Sequence, residues 1–463
     1  MTSGATSAYQ AGSEKQLFFD DKLVESARGV RLVLNPPRKT GERCLVSDRP
    51  WEDFYAGGWN TVLEDAGTFK MWYEASTLVD GRHSQSVCYA TSTDGIHWEK
   101  PDLDLIEFRG SRRNNIVLFD VAGTVFLDPR SGAGERFGFA ARADWVRPIY
   151  SRTTPEVGIW IFTSPDGLRW RPLQDGPVIK DRGNFDTQNQ IFWDPRLRKY
   201  VAYVRLNQPL RKVGRAESSD RLNWTKPEVV FSYDSADPVE SDHYNPCAVL
   251  YPYAAGVYLM FPSAFYHYPA KTIDGPLDIQ LATSRDGIRW DRRFRAPYVR
   301  LGLEGSFDAG SIYMTVGMLR HGDEIWMYYT GFEYTHGGYD LARTRSKGVV
   351  SRLVQRMDGF VSADAPLTGG EFTTVPLRFD GNTLELNLDT GALGSASVEL
   401  LEPSGRPLAG FASADCEPLR CNSVRRRVQW RGDPSIASLA GKPVRLRFVL
   451  RGVKLYAFQF SST

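Results

Sequence analysis

The sequence predicts an all-β protein, in which a five-bladed β-propeller is followed by a C-terminal β-sandwich. Three observations support this fold class. The 463 residues are 13% aromatic and include 42 Gly and 27 Pro, a mix typical of many short strands joined by tight turns. A short turn motif recurs four times between residues 91 and 290. After residue 359 the motif is absent, and apolar and polar residues alternate instead.

The recurring motif reads Ser-x-Asp-Gly-x-x-Trp. Its copies start at Ser92, Ser164, Ser218 and Ser284, and Arg221 replaces Gly in the third copy. In such a turn Asp accepts backbone N–H bonds, Gly supplies a positive φ, and Trp packs the turn against its sheet. The motif therefore predicts structural turns, and it assigns no chemistry to these Asp residues.

Strand-like segments precede each turn. They are short, aromatic or β-branched, and bounded by Gly, Pro or Asp: residues 69–74, 136–140, 200–204, 257–261 and 324–329. A further strand before each of them completes a meander of about four strands. Five such units fill most of residues 15–350, which favours a radial propeller over the alternative of tandem hairpins in a solenoid.

The segments that flank the repeats complete the predicted architecture. Residues 16–34 are expected to supply a strand that closes the ring by joining the last blade. Residues 359–463 contain alternating strands at 384–388, 398–401, 444–450 and 455–460, which predict the β-sandwich domain.

Composition and charge exclude several classes of function. Lys and Arg number 57 against 55 Asp and Glu, a net charge of +2, so neither nucleic acid nor an anionic membrane is expected as a partner. No apolar run is long enough to span a bilayer, and the N-terminus shows no secretory signal. The 5 Cys form no CxxC pair or zinc-like cluster, which suits reduced thiols and a cytoplasmic location. No nucleotide-binding or metal-ligand run occurs, so no cofactor and no metal are expected.

Carboxylates recur where the inner strand of a blade is predicted to begin. In a propeller these points meet around one channel mouth, where two carboxylates can cleave a glycosidic bond: a protonated one donates to the leaving oxygen, and an ionised one attacks or activates water. The predicted catalytic residues are Asp186, Asp242, Asp308 and Glu52. Asp186 is interpreted as the nucleophile or base, and Asp242 or Glu52 as the acid.

Aromatic and polar residues in the same loops would bind a carbohydrate substrate. Aromatic rings offer a platform for sugar rings, and His or Glu can bond hydroxyl groups. The predicted substrate-binding residues are Trp51, Tyr55, Tyr244, Tyr266, His267, Glu333 and His336.

A five-bladed propeller followed by a sandwich resembles two families of furanosidase-type glycoside hydrolases. They are the invertase and levanase family, glycoside hydrolase family 32, and the arabinofuranosidase and xylosidase family, family 43. Segments 184–193, 258–269, 305–314 and 328–337 also resemble an uncharacterised, divergent branch of these hydrolases. The resemblance implies cleavage of a glycosidic, furanosidic bond. Family 32 would imply three motifs: an Asp nucleophile within Trp-Met-Asn-Asp-Pro-Asn-Gly, a second Asp within Arg-Asp-Pro, and the acid within Glu-Cys. None of the three occurs in this sequence. Trp51, Glu52 and Asp53 stand at the place in the first blade that corresponds to the first motif.

Other functions remain open at this point. The turns also resemble the Asp-box of sialidases, which are usually six-bladed and need an arginine triad that no spacing here singles out. A propeller could bind carbohydrate without cleaving it. A phosphorylase similar to the mannoside phosphorylases would need one carboxylate and a cationic phosphate pocket, for which Arg205, Arg343 and His336 are candidates. A homo-oligomer is possible.

Overall fold

The computed structural model describes residues 8–79, 82–142, 158–180, 185–207, 210–338 and 347–462. Within these ranges the chain is all-β: strands alternate with turns and with short 3₁₀ helices at Pro50–Glu52, Ala133–Glu135 and Ile436–Leu439, and no α-helix occurs. No helix in this part of the chain is long and apolar enough to cross a membrane. Two compact units result. The repeat unit comprises Pro37–Leu250 and Gly256–Val354, and the terminal unit comprises the remainder, including Tyr251–Ala255.

The repeat unit contains five sheets. In the second and third of them consecutive strands pair antiparallel as predicted for meanders, and in the first the same holds from Thr61–Asp65 onward, while Tyr55–Ala56 pairs with Thr68–Val79. The first sheet contains Tyr55–Ala56, Thr61–Asp65, Thr68–Val79, Arg82–Ser92 and Ile116–Phe119. The second contains Gly123–Leu127, Phe137–Arg142, Ile159–Ser164 and Arg171–Pro172. The third contains Gln190–Asp194, Lys199–Asn207, Arg211–Ser218 and Glu228–Phe231. The fourth contains Ala248–Leu250, Tyr258–Met260 and Ala282–Ser284. The fifth contains Arg38–Lys39, Leu45–Val46, Ser241–His243, Ser263–Tyr266, Leu277–Ile279, Ser311–Met314, Leu319–His321, Glu324–Phe332 and Val349–Arg356.

Hydrogen bonds connect each of these sheets to the next one. They join Val125 N to Thr61 Oγ1, Thr124 Oγ1 to Asn189 O, Ala248 N to Gln190 Oε1, Cys247 Sγ to Thr315 O, and Val62 N to Val316 O. The last of these bonds returns from the fifth sheet to the first at 2.8 Å. No sheet among the described residues closes on itself. The contacts follow the order that a ring of blades requires, while the five-bladed propeller stays a prediction.

The four turn motifs have the structural role that the sequence predicts. In the first copy, Asp94 Oδ1 accepts the backbone N–H of Ile96 and of His97, both at 2.8 Å. Asp166, Asp220 and Asp286 accept the equivalent pair of bonds in the other copies. These carboxylates are used in forming the turns.

The turns also join neighbouring sheets. Tyr328 donates to the carbonyl of Gly95 at 2.7 Å, Trp72 to Gly167 at 2.7 Å, and Tyr203 to Gly287 at 2.6 Å. The three donors lie in the fifth, first and third sheets, and the turns that they contact follow strands of the first, second and fourth sheets. The third copy carries no Gly; its Arg221 has φ +70° and forms ion pairs with Asp128 and Glu135.

The terminal unit contains a two-stranded, a six-stranded and a four-stranded sheet. The two-stranded sheet pairs Tyr9–Gly12 with Leu377–Phe379. The six-stranded sheet contains Gln16–Leu17, Arg31–Leu34, Val361–Ala365, Thr383–Asp389, Asn422–Arg427 and Val453–Ser461. The four-stranded sheet contains Val24–Arg28, Gly370–Thr374, Ser395–Leu401 and Arg445–Arg451. Both larger sheets contribute to one hydrophobic core, for example Leu386 and Phe458 from one and Val398 and Phe448 from the other. Such a shared core suits the predicted sandwich, which stays a prediction together with the domain bounds 15–350 and 359–463.

The N-terminal segment pairs differently from the expectation. The strands between residues 16 and 34 pair with strands after residue 360, within the terminal unit. It is instead Arg38–Lys39 and Leu45–Val46 that pair with Val349–Arg356 in the fifth sheet of the repeat unit. Sequence alternation identified the strands but carried no information about their partners.

Candidate active site

The repeat unit encloses a cavity of about 810 Å³. Its lining combines three carboxylates and an arginine with many aromatic rings: Phe54, Tyr55, Gly58, Trp59, Glu74, Ser76, Gln85, Asp120, Arg142, Asp186, Tyr244, Ser311, Tyr313, Phe332, Tyr334 and His336. Four of the predicted site residues meet here, namely Tyr55, Asp186, Tyr244 and His336.

Glu74 reaches the cavity from the interior of the strand Thr68–Val79. Successive side chains of a strand point to opposite faces, and Tyr73 and Ala75 face an apolar core. Glu74 points to the other face of the strand, and the residue as a whole is 2% exposed. Its Oε1 accepts bonds from Tyr55 Oη at 2.6 Å and from Gln85 Nε2 at 2.5 Å, and its Oε2 accepts the backbone N–H of Trp59 at 3.1 Å.

Gly58 leaves the room that this carboxylate occupies. A Cβ at residue 58 would lie 2.2 Å from Glu74 Oε2. The backbone therefore approaches the carboxylate as closely as only glycine permits.

Burial dominates the protonation of Glu74. Loss of hydration raises the pKa of this carboxyl, the bonds from Tyr55 and Gln85 lower it, and the negative charge of Asp186 raises it again, with a resulting pKa of about 7. A pKa in this range allows the buried acid to hold a proton near neutral pH.

Asp186 lies in the same cavity with a different environment. Its side chain is 35% exposed, and it forms ion pairs with Arg142 and, at 3.4 Å, with Nη2 of the buried Arg205. Asp120 is the third carboxylate, held by a bond from Ser84 Oγ. The cavity thus holds one carboxyl that is buried beside neutral donors and another that is solvated and paired with cations.

Aromatic rings form another part of the cavity lining. The ring of Phe332 lies 5.9 Å from that of Tyr55, 5.8 Å from that of Tyr313 and 5.2 Å from that of Tyr334, mostly edge to face. Phe54 extends this group at 5.7 Å from Tyr55. We call these five residues the aromatic wall.

His336 and Tyr244 stand at the end of the aromatic wall, with ring centroids 4.3 Å apart. His336 Nδ1 is 2.7 Å from Tyr313 Oη. Burial, helped by the charge of Arg211, lowers the pKa of His336 to about 4, so the imidazole is neutral at pH 7.

Glu52 and Trp51 do not line the cavity. The buried Glu52 carboxylate bonds Lys100 Nζ at 2.8 Å and Tyr73 Oη at 2.6 Å, while Trp51 Nε1 donates to Asn115 at 2.9 Å. Both side chains hold neighbouring parts of the first sheet together.

Asp242 is not among the residues that line the cavity. Arg211 donates to Asp242 at 3.0 Å, and the same guanidinium lies 5.3 Å from the centre of the Tyr244 ring. His267 Nε2 is 3.4 Å from Asp242 Oδ2, and Tyr266 Oη is 3.4 Å from Asp278 Oδ1.

Asp308 has its own set of donors away from the cavity lining. They are Lys39 Nζ at 2.6 Å, Tyr329 Oη at 2.7 Å and Ser306 Oγ at 2.8 Å. Burial opposes ionisation, but these hydrogen bonds outweigh it and lower the pKa of Asp308. Glu333 is half-buried and is not among the lining residues, and Arg343 lies outside the described residues. The functional roles predicted for all these residues stay predictions.

Sequence reasoning did not single out Glu74 because it sought carboxylates where strands begin. One signal was available: Glu74 directly follows the apolar and aromatic run Met71-Trp72-Tyr73, and an acidic residue in such a place is unusual because burial of a charge is costly. Residues 57 and 58, both Gly, precede that strand by about ten positions and add a second signal of close backbone approach.

No family model matches the chain. Two curated Mycobacterium tuberculosis proteins, the uncharacterised proteins MT1551 and Rv1502, are each 34% identical over 116 residues, which is 24% of this chain and 32% of theirs. The match thus spans about a third of the length of these relatives.

Several solved structures resemble the chain at low identity. An N-acetylgalactosamine deacetylase from F. plautii has TM-score 0.49 and 14% identity, over 71% of this chain and 96% of its own. The β-1,2-mannobiose phosphorylase from Listeria innocua has TM-score 0.47 and 11% identity, over 70% and 97%. The α-L-arabinofuranosidase PaAbf62A from Podospora anserina has TM-score 0.45 and 14% identity, over 67% and 94%. Values this low do not bear on the reaction or the substrate.

Proposed function

We propose that this chain is a glycoside hydrolase that cleaves a glycosidic bond in the cavity of the repeat unit. The family resemblance implies that this bond is furanosidic. The observation that carries the proposal is the pair of unlike carboxylates there: Glu74, whose pKa is about 7, and the cation-paired Asp186, whose charge acts on Glu74. Two carboxyl groups kept in different protonation states are what glycosidic cleavage requires.

Glu74 is the proposed general acid. Its Oε2 accepts one backbone bond, whereas Oε1 accepts two side-chain bonds, so Oε2 has the freer lone pair to carry the proton. When the bond between the anomeric carbon and the leaving oxygen breaks, that oxygen keeps the electron pair and takes the proton from Glu74.

Asp186 is the proposed nucleophile or base, in agreement with its interpretation from the sequence. Arg142 and Arg205 fix its position and balance its charge. The ionised carboxylate either attacks the anomeric carbon or removes a proton from the attacking water. Asp120 adds a third carboxyl group to the same cavity.

The proposed fold that supports this site is the five-bladed propeller. The bonds that run from sheet to sheet and return from Val316 to Val62 support it, because a ring would place the first and fifth sheets beside each other. In that arrangement Glu74 from the first sheet and Phe332 from the fifth share one cavity.

The test is hydrolysis of a panel of aryl furanosides and pyranosides in buffer without phosphate. We expect turnover of at least one member, and a loss of at least 100-fold in kcat for Glu74→Gln and for Asp186→Asn. Full activity in either variant would remove that residue from the mechanism.

Asp278→Asn is the matched control. Burial also raises the pKa of Asp278 to about 7, yet this residue does not line the cavity. Its replacement should leave kcat within about threefold, which separates acid catalysis from a general effect of removing a carboxyl whose pKa is raised.

The same assay decides between hydrolysis and the alternatives. A phosphorylase would turn over only with added phosphate, and a neutral His336 would supply no positive charge to bind it. A non-catalytic binding protein would show saturable binding and no turnover by any variant.

A further inference from the structure

We propose that the aromatic wall receives an apolar ring attached to the sugar through the bond that is cleaved, so that the substrate is a glycoside of an aromatic or other apolar alcohol. This inference rests on the proposed function of the cavity and adds the class of leaving group.

The groups that line the cavity are of two kinds. Glu74, Gln85, Asp120, Asp186 and Arg142 supply charged and amide groups, whereas the aromatic wall supplies rings. Tyr55 joins the two kinds of group, because its hydroxyl bonds Glu74 while its ring packs against Phe332. A ligand bound at the proposed acid is thus next to a continuous set of aromatic rings.

The aromatic wall offers few hydrogen bonds to a second sugar. Phe54 and Phe332 have no polar side-chain atom, and the hydroxyls of Tyr55 and Tyr313 already bond Glu74 and His336. Among these five residues, this leaves the hydroxyl of Tyr334 to bond a sugar. A buried sugar hydroxyl without a partner loses its hydration without compensation. An apolar ring carries no such penalty and packs edge to face on rings of this kind.

The cavity is also large enough for two groups. A volume of about 810 Å³ lies near the upper end of the range, about 300–1,000 Å³, in which pockets enclose drug-sized ligands. A monosaccharide at the carboxylates would leave the aromatic wall uncovered, and a second ring fills that space.

The experiment compares benzyl and methyl glycosides of the same sugar, across pentofuranosides and hexopyranosides. The two leaving alcohols have similar acidity, so a difference in kcat/KM reports binding of the ring and not leaving-group chemistry. Burial of one phenyl ring predicts a preference of about 10- to 100-fold for the benzyl glycoside. Equal rates, or a preference for the corresponding disaccharide, would overturn the proposal.

The variant Phe332→Ala should reduce the benzyl-to-methyl ratio to within about threefold of unity, whatever its absolute activity. Phe192→Ala, which changes a half-buried ring of the third sheet outside the cavity, should leave the ratio unchanged. A ratio unaltered in Phe332→Ala contradicts the placement of the ring on the aromatic wall.

Binding to Glu74→Gln, measured by calorimetry with the same ligand pairs, needs no turnover and no change in the aromatic wall. Tighter binding of the benzyl glycosides by tenfold or more supports the inference even if no glycoside is hydrolysed, in which case only the proposed function fails. Equal binding of both ligands overturns the inference even if hydrolysis occurs.

Discussion

Replacement of Tyr55 by Phe should raise the pKa of Glu74 and thereby move the alkaline limit of activity upward. Tyr55 Oη donates to Glu74 Oε1 at 2.6 Å, and this bond is the strongest of the influences that lower the pKa of the carboxyl. A hydrogen bond stabilises the charged acceptor more than the neutral one, so its loss favours the protonated acid.

The magnitude follows from the strength of such a bond. A hydrogen bond to a charged group contributes about 1.5–3 kcal/mol, and each pKa unit corresponds to about 1.4 kcal/mol. The pKa of Glu74, about 7 in the native chain, should therefore rise to about 8 or 9 in Tyr55→Phe.

The assay is the pH dependence of kcat/KM for an uncharged glycoside. Activity of the native chain should fall tenfold per pH unit above about pH 7, as Glu74 loses its proton, and in Tyr55→Phe the fall should begin one to two pH units higher. The infrared band of the protonated carboxyl, identified by its absence in Glu74→Gln, gives the same pKa without turnover.

Tyr266→Phe is the control, because the Tyr266 hydroxyl faces Asp278 and not the cavity carboxylates. It should leave both the activity profile and the infrared titration in place. An alkaline limit that stays at pH 7 in Tyr55→Phe, or moves down, would refute the assignment of Glu74 as an acid held by Tyr55.

Three further outcomes are expected. The pKa of Glu74 in the folded chain exceeds its ordinary value of 4.5, so the contribution of this residue to stability is complete below pH 4.5. That contribution falls by about 3 kcal/mol as the pH rises to 7. In urea denaturation, Glu74→Gln should therefore gain stability relative to the native chain across that interval. Gly58→Ala should lower kcat at least 100-fold by displacing Glu74, whereas Gly134→Ala, where a Cβ meets nothing within 4 Å, should leave kcat unchanged. Tyr328→Phe should cost about 1–2 kcal/mol of unfolding free energy, measured with urea, because the Gly95 carbonyl loses its donor; an unchanged midpoint would contradict that role.

Local patterns predicted the strands and turns well. Ser, Asp and Gly at fixed spacing within one turn interact with each other, so Asp94 and its counterparts could be interpreted without knowledge of the fold. Alternation and aromatic content similarly identified the meanders. The partners of residues 16–34 depend on contacts with strands more than 300 residues away, which no local pattern encodes.

The candidate site was predictable only in part for the same physical reason. Asp186 and Asp308 occupy similar loops in the sequence, and their difference lies in distant partners: Arg142 and Arg205 for one, and Lys39, 269 residues earlier, for the other. Glu74 gains its raised pKa from burial and from Tyr55, neither of which its strand sequence displays.

The return of the fifth sheet to the first has a consequence for the order of assembly. Asn60 Nδ2 bonds Thr330 Oγ1 across 270 residues of chain, and contacts that distant form late because a long loop must close first. On a ribosome, Glu74 and Asp186 would be translated long before Phe332 arrives to complete their surroundings. A nascent chain that ends before residue 320 would therefore contain both carboxylates and still bind no ligand.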